Sequence, residues 1–231
     1  MQPVNNLTEE RLKKLEELKN RGINPYPYKY EPKHHAAETQ EKYASLKNEE
    51  KTEDMVCVAG RIIIFRRMGK ATFASLQDQT GKIQLYFRED SLGISDYEVL
   101  KLLDAGDWIG VEGTVFKTKT GEITISVSKF QILCKSILPL PEKYHGLQDK
   151  ELRYRQRYLD LIVNPEVKER FIKRSKVIDL VRQFLNGQGF LEVETPVLQV
   201  LYGGTNAKPF TTFINAFNMP MYLRVAPELY L

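Results

Sequence analysis

Cysteine is scarce. The 231 residues hold two, Cys57 and Cys134, with no C-x-x-C spacing. That excludes a zinc ribbon and a disulfide framework, and buried free thiols in a reducing compartment are the expectation. Histidine is nearly as rare. His34 and His35 are adjacent in a stretch that reads as extended, where neighbouring side chains point to opposite sides, so they do not form a metal-ligand pair. No segment approaches the roughly twenty apolar residues of a membrane span. The N-terminus, MQPVNNLTEERLKKLEELK, is too charged for the apolar core of a signal peptide. A soluble, cytoplasmic protein with no membrane partner is expected. The sequence also lacks a Gly-rich phosphate loop, an HExxH motif and a serine elbow. The net charge of +4 is mild, permitting a nucleic-acid partner without demanding one.

What is present is organised around residues 55–135. MVCVAGRIIIF, KATFASLQD and KIQLYF read as three strands with period-two alternation, joined at RRMGK and at Gln79-Thr80-Gly81. An amphipathic helix, SDYEVLKLLDAG, precedes two more strands, DWIGVEGTVFKT and EITISVSKFQIL, joined at Lys119-Thr120-Gly121. Five strands with a helix between the third and fourth predict a closed OB-fold β-barrel, whose face and loops bind oligonucleotides.

The flanking segments divide the rest. Residues 1–54 form a helical extension, in which Thr8 is placed to cap a first helix that Gly22 and Pro25 end. A second short helix is expected around residues 38–47. Residues 136–148, with two prolines and a glycine, read as a linker. Residues 149–231 start with a helix, DKELRYRQRYLDLIV, that Asp149 can cap. A second helix begins at Asn164-Pro165, with Val167, Phe171, Ile178, Val181 and Leu185 on one apolar face. The strand FLEVETP and an antiparallel pair, KPFTTFINAF with MYLRVA, follow, so this part is of the α+β class. Glu192 and Glu194 are unconvincing as an acid/base pair, and Arg153, Arg155 and Arg157 do not share one helical face.

Chemistry concentrates on the barrel. Arg66, Arg67 and Lys70 crowd its first loop, and Lys117 and Lys119 its last hairpin. Phe73 lies just inside this basic rim, with Gln84 on the next strand. Charge for phosphates and a flat ring for stacking are what single-stranded bases need; Gln84 and Glu122 add donors and acceptors for a base edge. The same residues fit equally a core Phe73 with charges that keep strand edges soluble.

GRIIIFRRMGKATFASLQDQTGKIQLY, VFKTKTGEITI and LPLPEKYHGLQDKELRYRQRYLDLI resemble the class II lysyl-tRNA synthetases. QGFLEVETPVL resembles that class's motif 1, which in the family builds the dimer interface, and GGTNAKPFTTFINAFNMPMYLRVAPELYL the segment before motif 2. The resemblance implies an OB-fold anticodon-binding barrel followed by the start of an antiparallel-sheet catalytic domain. It assigns Phe73 to base stacking and Arg66, Gln84 and Glu122 to reading the central uridine of the anticodon. It assigns Gly204 and Glu228 to the substrate lysine, with Glu228 accepting the α-amino group. It implies lysine–tRNA ligase activity with ATP and Mg²⁺, tRNA as partner, and a homodimer through motif 1. Motifs 2 and 3 do not occur before Leu231, so a truncated chain that alone does not activate lysine is expected. A stand-alone tRNA- or RNA-binding module is the alternative.

Overall fold

The computed structural model describes residues 6–141 and 147–231. Residues 142–146, inside the expected linker and inside one of the stretches quoted above, lie outside the described residues, as do residues 1–5. The chain divides into two compact units, Met1–Val163 and Asn164–Leu231.

The first unit is built on a closed five-stranded barrel. Its strands are β1 (Lys51–Met68), β2 (Ala71–Gln77), β3 (Lys82–Arg88), β4 (Trp108–Lys117) and β5 (Ile123–Cys134), in the order β1-β2-β3-β5-β4. All pairings are antiparallel except β3 with β5, which is parallel and closes the barrel. Alternation decides which side chains enter. Thr72, Ala74 and Leu76 on β2 and Ile83, Leu85 and Phe87 on β3 are buried, while Phe73, Ser75, Gln84 and Tyr86 face outward and are half-buried. Between β3 and β4 run α3 (Glu89–Leu92) and α4 (Ile94–Leu100), which bury Leu92, Tyr97 and Leu100 against the same core. The Tyr97 hydroxyl lies 3.1 Å from the buried Thr72 hydroxyl and donates to the Gly69 carbonyl at 3.0 Å. Cys57 is half-buried and Cys134 exposed, which corrects the expectation of two buried thiols: both fall on outward positions of their strands.

Residues 6–50 wrap the barrel. They carry α1 (Asn6–Asn20) and α2 (Ala36–Lys42). Thr8 does not cap α1, because that helix already runs from Asn6 and holds Thr8 as a buried residue. α2 starts at Ala36 and ends at Lys42, short of the expected span. Pairing to the barrel is extensive. The Lys33 and His34 amides both donate to the Cys57 carbonyl at 3.0 Å, and the Cys57 amide donates to His34 Nδ1 at 3.1 Å. A Cβ at Gly110 would lie 2.1 Å from Tyr30 Cζ, so a larger residue there would push that ring off β4.

At the far end of the barrel, Lys135 is fully buried and donates to Asp104 (2.6 Å) and Asp107 (2.7 Å). Burial pushes the Asp107 carboxyl upward, opposed by Lys135 and by the Asp104 and Ser136 amides. Burial also acts on Asp104, but Lys135 and Lys14 outweigh it and hold that carboxyl below the usual range. Arg11 on α1 donates to the carbonyls of Ala105 and Ser136 beside this cluster.

The unit ends in α5 (Lys150–Arg155) and α6 (Arg157–Val163), where one helix was expected. On either side of the break at Gln156 (φ −116°, ψ 57°), Arg153 and Arg157 converge on the buried Asp160 carboxylate, Arg153 Nε at 2.9 Å. Asp149 does cap α5, accepting from the Leu152 amide at 2.7 Å.

The second unit comprises α7 (Pro165–Gly187) and a three-stranded sheet of β6 (Leu198–Gln199), β7 (Thr211–Ile214) and β8 (Met219–Leu223), in the order β6-β8-β7. The antiparallel pair is β7 with β8. FLEVETP is not a strand: residues 190–196 pair with no strand among the described residues, and pairing starts two residues past Pro196 at Leu198. Phe171, Ile178, Val181 and Leu185 on α7 are all exposed, at 39–53%.

Candidate functional site

Outward positions of β1, β2, β3 and β5 form one polar-aromatic face. Arg66 is the register partner of Phe73, and Phe73 that of Tyr86. Directly opposed residues in antiparallel pairs share a face, so Arg66, Phe73 and Tyr86 stand in one row. The Phe73 and Tyr86 rings stack with centroids 4.7 Å apart and planes 30° from parallel. Phe116 meets the Tyr86 ring edge-on at 5.9 Å. Phe73 is thus held from one side by Tyr86 and is not core; its neighbours on β2, Thr72 and Ala74, are the buried ones.

The next row joins Ser75, Gln84, Thr124 and Phe116 by register. The Thr124 hydroxyl donates to Gln84 Oε1 at 2.8 Å and lies 3.2 Å from the Glu122 carbonyl. Glu122 is exposed in the β4–β5 turn, where its amide donates to the Thr118 hydroxyl at 2.9 Å. Arg66, Phe73 and Gln84 therefore stand on one face, and the Glu122 backbone lies beside Thr124 at its edge.

The basic rim is thinner than the charge pattern suggests. Lys117 Nζ donates to the carbonyls of Ala44 and Leu46, both at 2.9 Å, which ties residues 44–46 to the barrel. Arg67 donates to the Lys101 carbonyl at 3.2 Å, and Lys70 lies 3.6 Å from Glu89. Arg66 and Lys119 are exposed, Lys119 with Glu49 at 3.7 Å. Tyr86, Phe116 and Thr124 belong to the face although the motifs had not singled them out. Counting two residues on from Gln84 places Tyr86 on the same side, whereas Phe116 and Thr124 need the barrel closed.

Gly204 and Glu228 meet in the second unit. Gly204 has φ +83°, and a Cβ there would lie 2.8 Å from Glu228 Oε2 and 2.9 Å from Ala226 Cβ. The glycine lets the carboxylate lie against the backbone. Beside them Gln199 is fully buried, its Nε2 3.5 Å from the Ala226 carbonyl. Tyr202 packs on Tyr222 with centroids at 4.7 Å. A bare carboxylate over an open glycine is suited to accept N–H donors from an ammonium group.

Two family models match the chain: OB-fold nucleic acid binding domain over residues 56–133, and tRNA synthetases class II (D, K and N) over residues 149–231. The lysine–tRNA ligase of Carboxydothermus hydrogenoformans is 54% identical over 230 residues, covering 100% of this chain and 46% of that protein. The lysine–tRNA ligases of Pelotomaculum thermopropionicum (54% identical, 99% of this chain, 44% of that protein) and Thermotoga maritima (50%, 96% and 45%) match similarly. The chain spans somewhat less than half the length of these relatives.

Proposed function

Since this chain belongs to the lysine–tRNA ligase family over its whole length, we propose that its barrel reads the anticodon of a tRNA for a ligase that joins lysine to it. In this reading residues 55–135 are the anticodon-binding domain, residues 1–54 its extension, residues 136–148 a linker and residues 149–231 part of the catalytic domain. Phe73 stacks on an unpaired base, with Tyr86 supporting its other face. Arg66 neutralises a phosphate or donates to the base, and Gln84 and Glu122 pair with its edge. Gly204 and Glu228 hold the α-amino group of lysine.

The observation that carries this is the outward face shared by Arg66, Phe73 and Gln84, in a chain this similar to ligases of that name. ATP and Mg²⁺ are the cofactors the reading assigns to the complete ligase. Among the described residues no three His, Cys, Asp or Glu side chains converge as a metal cradle, so no Mg²⁺ ligand is drawn from this chain. The exposed apolar face of α7 supports a homodimer, which would cover it. Among the described residues no helix is long and apolar enough to cross a membrane, and a tRNA ligase works in the cytoplasm with its tRNA.

Fluorescence anisotropy with a labelled lysine anticodon stem-loop tests the barrel. Phe73→Ala is expected to cost about 1–3 kcal/mol, or about 5- to 150-fold in Kd. Equal binding by the variant, or equal affinity for a loop with an unrelated anticodon, would sink the reading. Pyrophosphate exchange in a full-length ligase carrying these residues tests the lysine site: Glu228→Ala should raise the KM for lysine.

A further inference from the structure

We infer that Arg11 is a positioning residue for the charging of tRNA: it braces the linker where it leaves the barrel, so that a tRNA held by its anticodon is presented to the catalytic domain. This rests on the reading of the chain as part of a lysine–tRNA ligase. Residues 136–148 read as a linker, yet the first of them are fastened to the barrel. The Arg11 guanidinium donates to three carbonyls, that of Ala105 at 2.9 Å and those of Ser136 and Leu138 at 3.1 and 3.3 Å. Ala105 lies just before β4, and the other two just after β5, so one side chain ties the linker to the barrel. The Ser136 amide donates to Asp107 at 2.8 Å, and the Tyr26 hydroxyl to the Lys135 carbonyl at 3.0 Å. The Ser136 hydroxyl closes on the Leu138 carbonyl at 3.2 Å.

Pro139 and Pro141 have no N–H to give, so this stretch is ill suited to a sheet ladder and its carbonyls take donors from elsewhere. A planar guanidinium fork supplies several at fixed angles. Helix α1 aims it: Arg11, Lys14 on Asp104 at 2.5 Å, and the buried Leu18 follow one another at spacings of three and four, on one helical face. A substrate gripped by two linked domains gains from the second grip only where the linker lets both engage at once. A loose start would leave each domain competent and the two uncoordinated. Prolines stiffen a linker, so the direction set at residues 136–138 is kept through Pro141.

The test compares a full-length ligase carrying these residues with its Arg11→Ala variant, melting curves confirming that each is folded. Charging of whole tRNA should fall about ten- to a hundredfold in kcat/KM, the scale of a small misplacement far from the chemistry. Pyrophosphate exchange with lysine and ATP, and binding of the anticodon stem-loop, should both stay within about twofold of native. A side chain that only supports folding would move all three together. Arg11→Lys keeps the charge and the stem but not the fork over three carbonyls. Its charging should lie between the two, and it is judged by the same comparison if the alanine variant fails to fold. Charging within about twofold of native in the variant so judged, or a loss shared by all three assays, overturns the role of Arg11 alone. A native ligase that charges no lysine tRNA overturns the reading on which that role rests.

Discussion

Replacing Lys135 with methionine should be among the most damaging changes available outside the binding face. The Lys135 ammonium is fully buried between Asp104 at 2.6 Å and Asp107 at 2.7 Å. Methionine keeps the apolar stem but removes the charge. Asp104 retains Lys14 at 2.5 Å and is partly exposed, so it suffers little. Asp107 is wholly buried and keeps only the amides of Asp104 and Ser136, both at 2.8 Å. Breaking a buried pair while leaving one charge behind costs about 3–5 kcal/mol, against a total stability of about 5–15 kcal/mol for a typical domain.

Urea denaturation followed by the fluorescence of Trp108, the only tryptophan, measures it in the unit concerned. Adding Asp107→Asn to Lys135→Met should recover most of the loss, because the stranded charge goes with it. The deficit of the single variant should be small in acid, where Asp107 is protonated, and grow as pH rises through its raised folded-state pKa. A loss below about 1 kcal/mol, or a double variant no better than the single, would refute the argument.

Three further outcomes follow from the same geometry. Gly204→Ala should lower stability by about 1–2 kcal/mol from the left-handed backbone alone. It should also raise the KM for lysine in a full-length ligase by displacing the Glu228 carboxylate; an unchanged KM would remove Gly204 from the lysine site. A double-mutant cycle of Phe73→Ala and Tyr86→Ala on stem-loop binding should show coupling of about 0.5–1.5 kcal/mol, the worth of an aromatic pair, whereas additivity would mean Tyr86 does not support the stacking ring. The acid limb of stability is set in part by Asp78. Burial would raise its pKa, but the Ala36, Thr80 and Gly81 amides and the Thr80 hydroxyl together hold it low. Its contribution is complete above the ordinary carboxylate value of about 3.9 and is lost as pH falls through the lower folded-state value. Asp78→Ala should therefore destabilise at neutral pH and flatten the decline below about pH 4; an acid limb as steep as the native one would count against this.

The barrel was legible because alternation is a local property. On β2 and β3 each second residue is buried, a period that ATFASLQ and KIQLYF carry, while whether Phe73 faced the core or the outside was open until the barrel was in view. Local periodicity says nothing of supply and demand, however. Lys117 reads as a rim cation, yet it serves the carbonyls of Ala44 and Leu46, some seventy residues earlier. FLEVETP alternates like a strand, but a strand needs an edge to pair with, and residues 190–196 have none among the described residues. Nor does the pattern show that Arg153 and Arg157 both serve the buried Asp160 carboxylate.

Sequence alone therefore determined the alternation along each barrel strand, where the turns fall, and the family to which the chain belongs. The tertiary structure decided who stands next to whom. Closure of β3 on β5, whose register partners lie forty residues apart, brings Thr124 to Gln84, and the register of β2 on β3 lays Phe73 on Tyr86. Side-chain direction repeats every two residues and can be read along the chain. Register between strands depends on how the whole core packs as the sheet curls shut, and that is settled only in three dimensions.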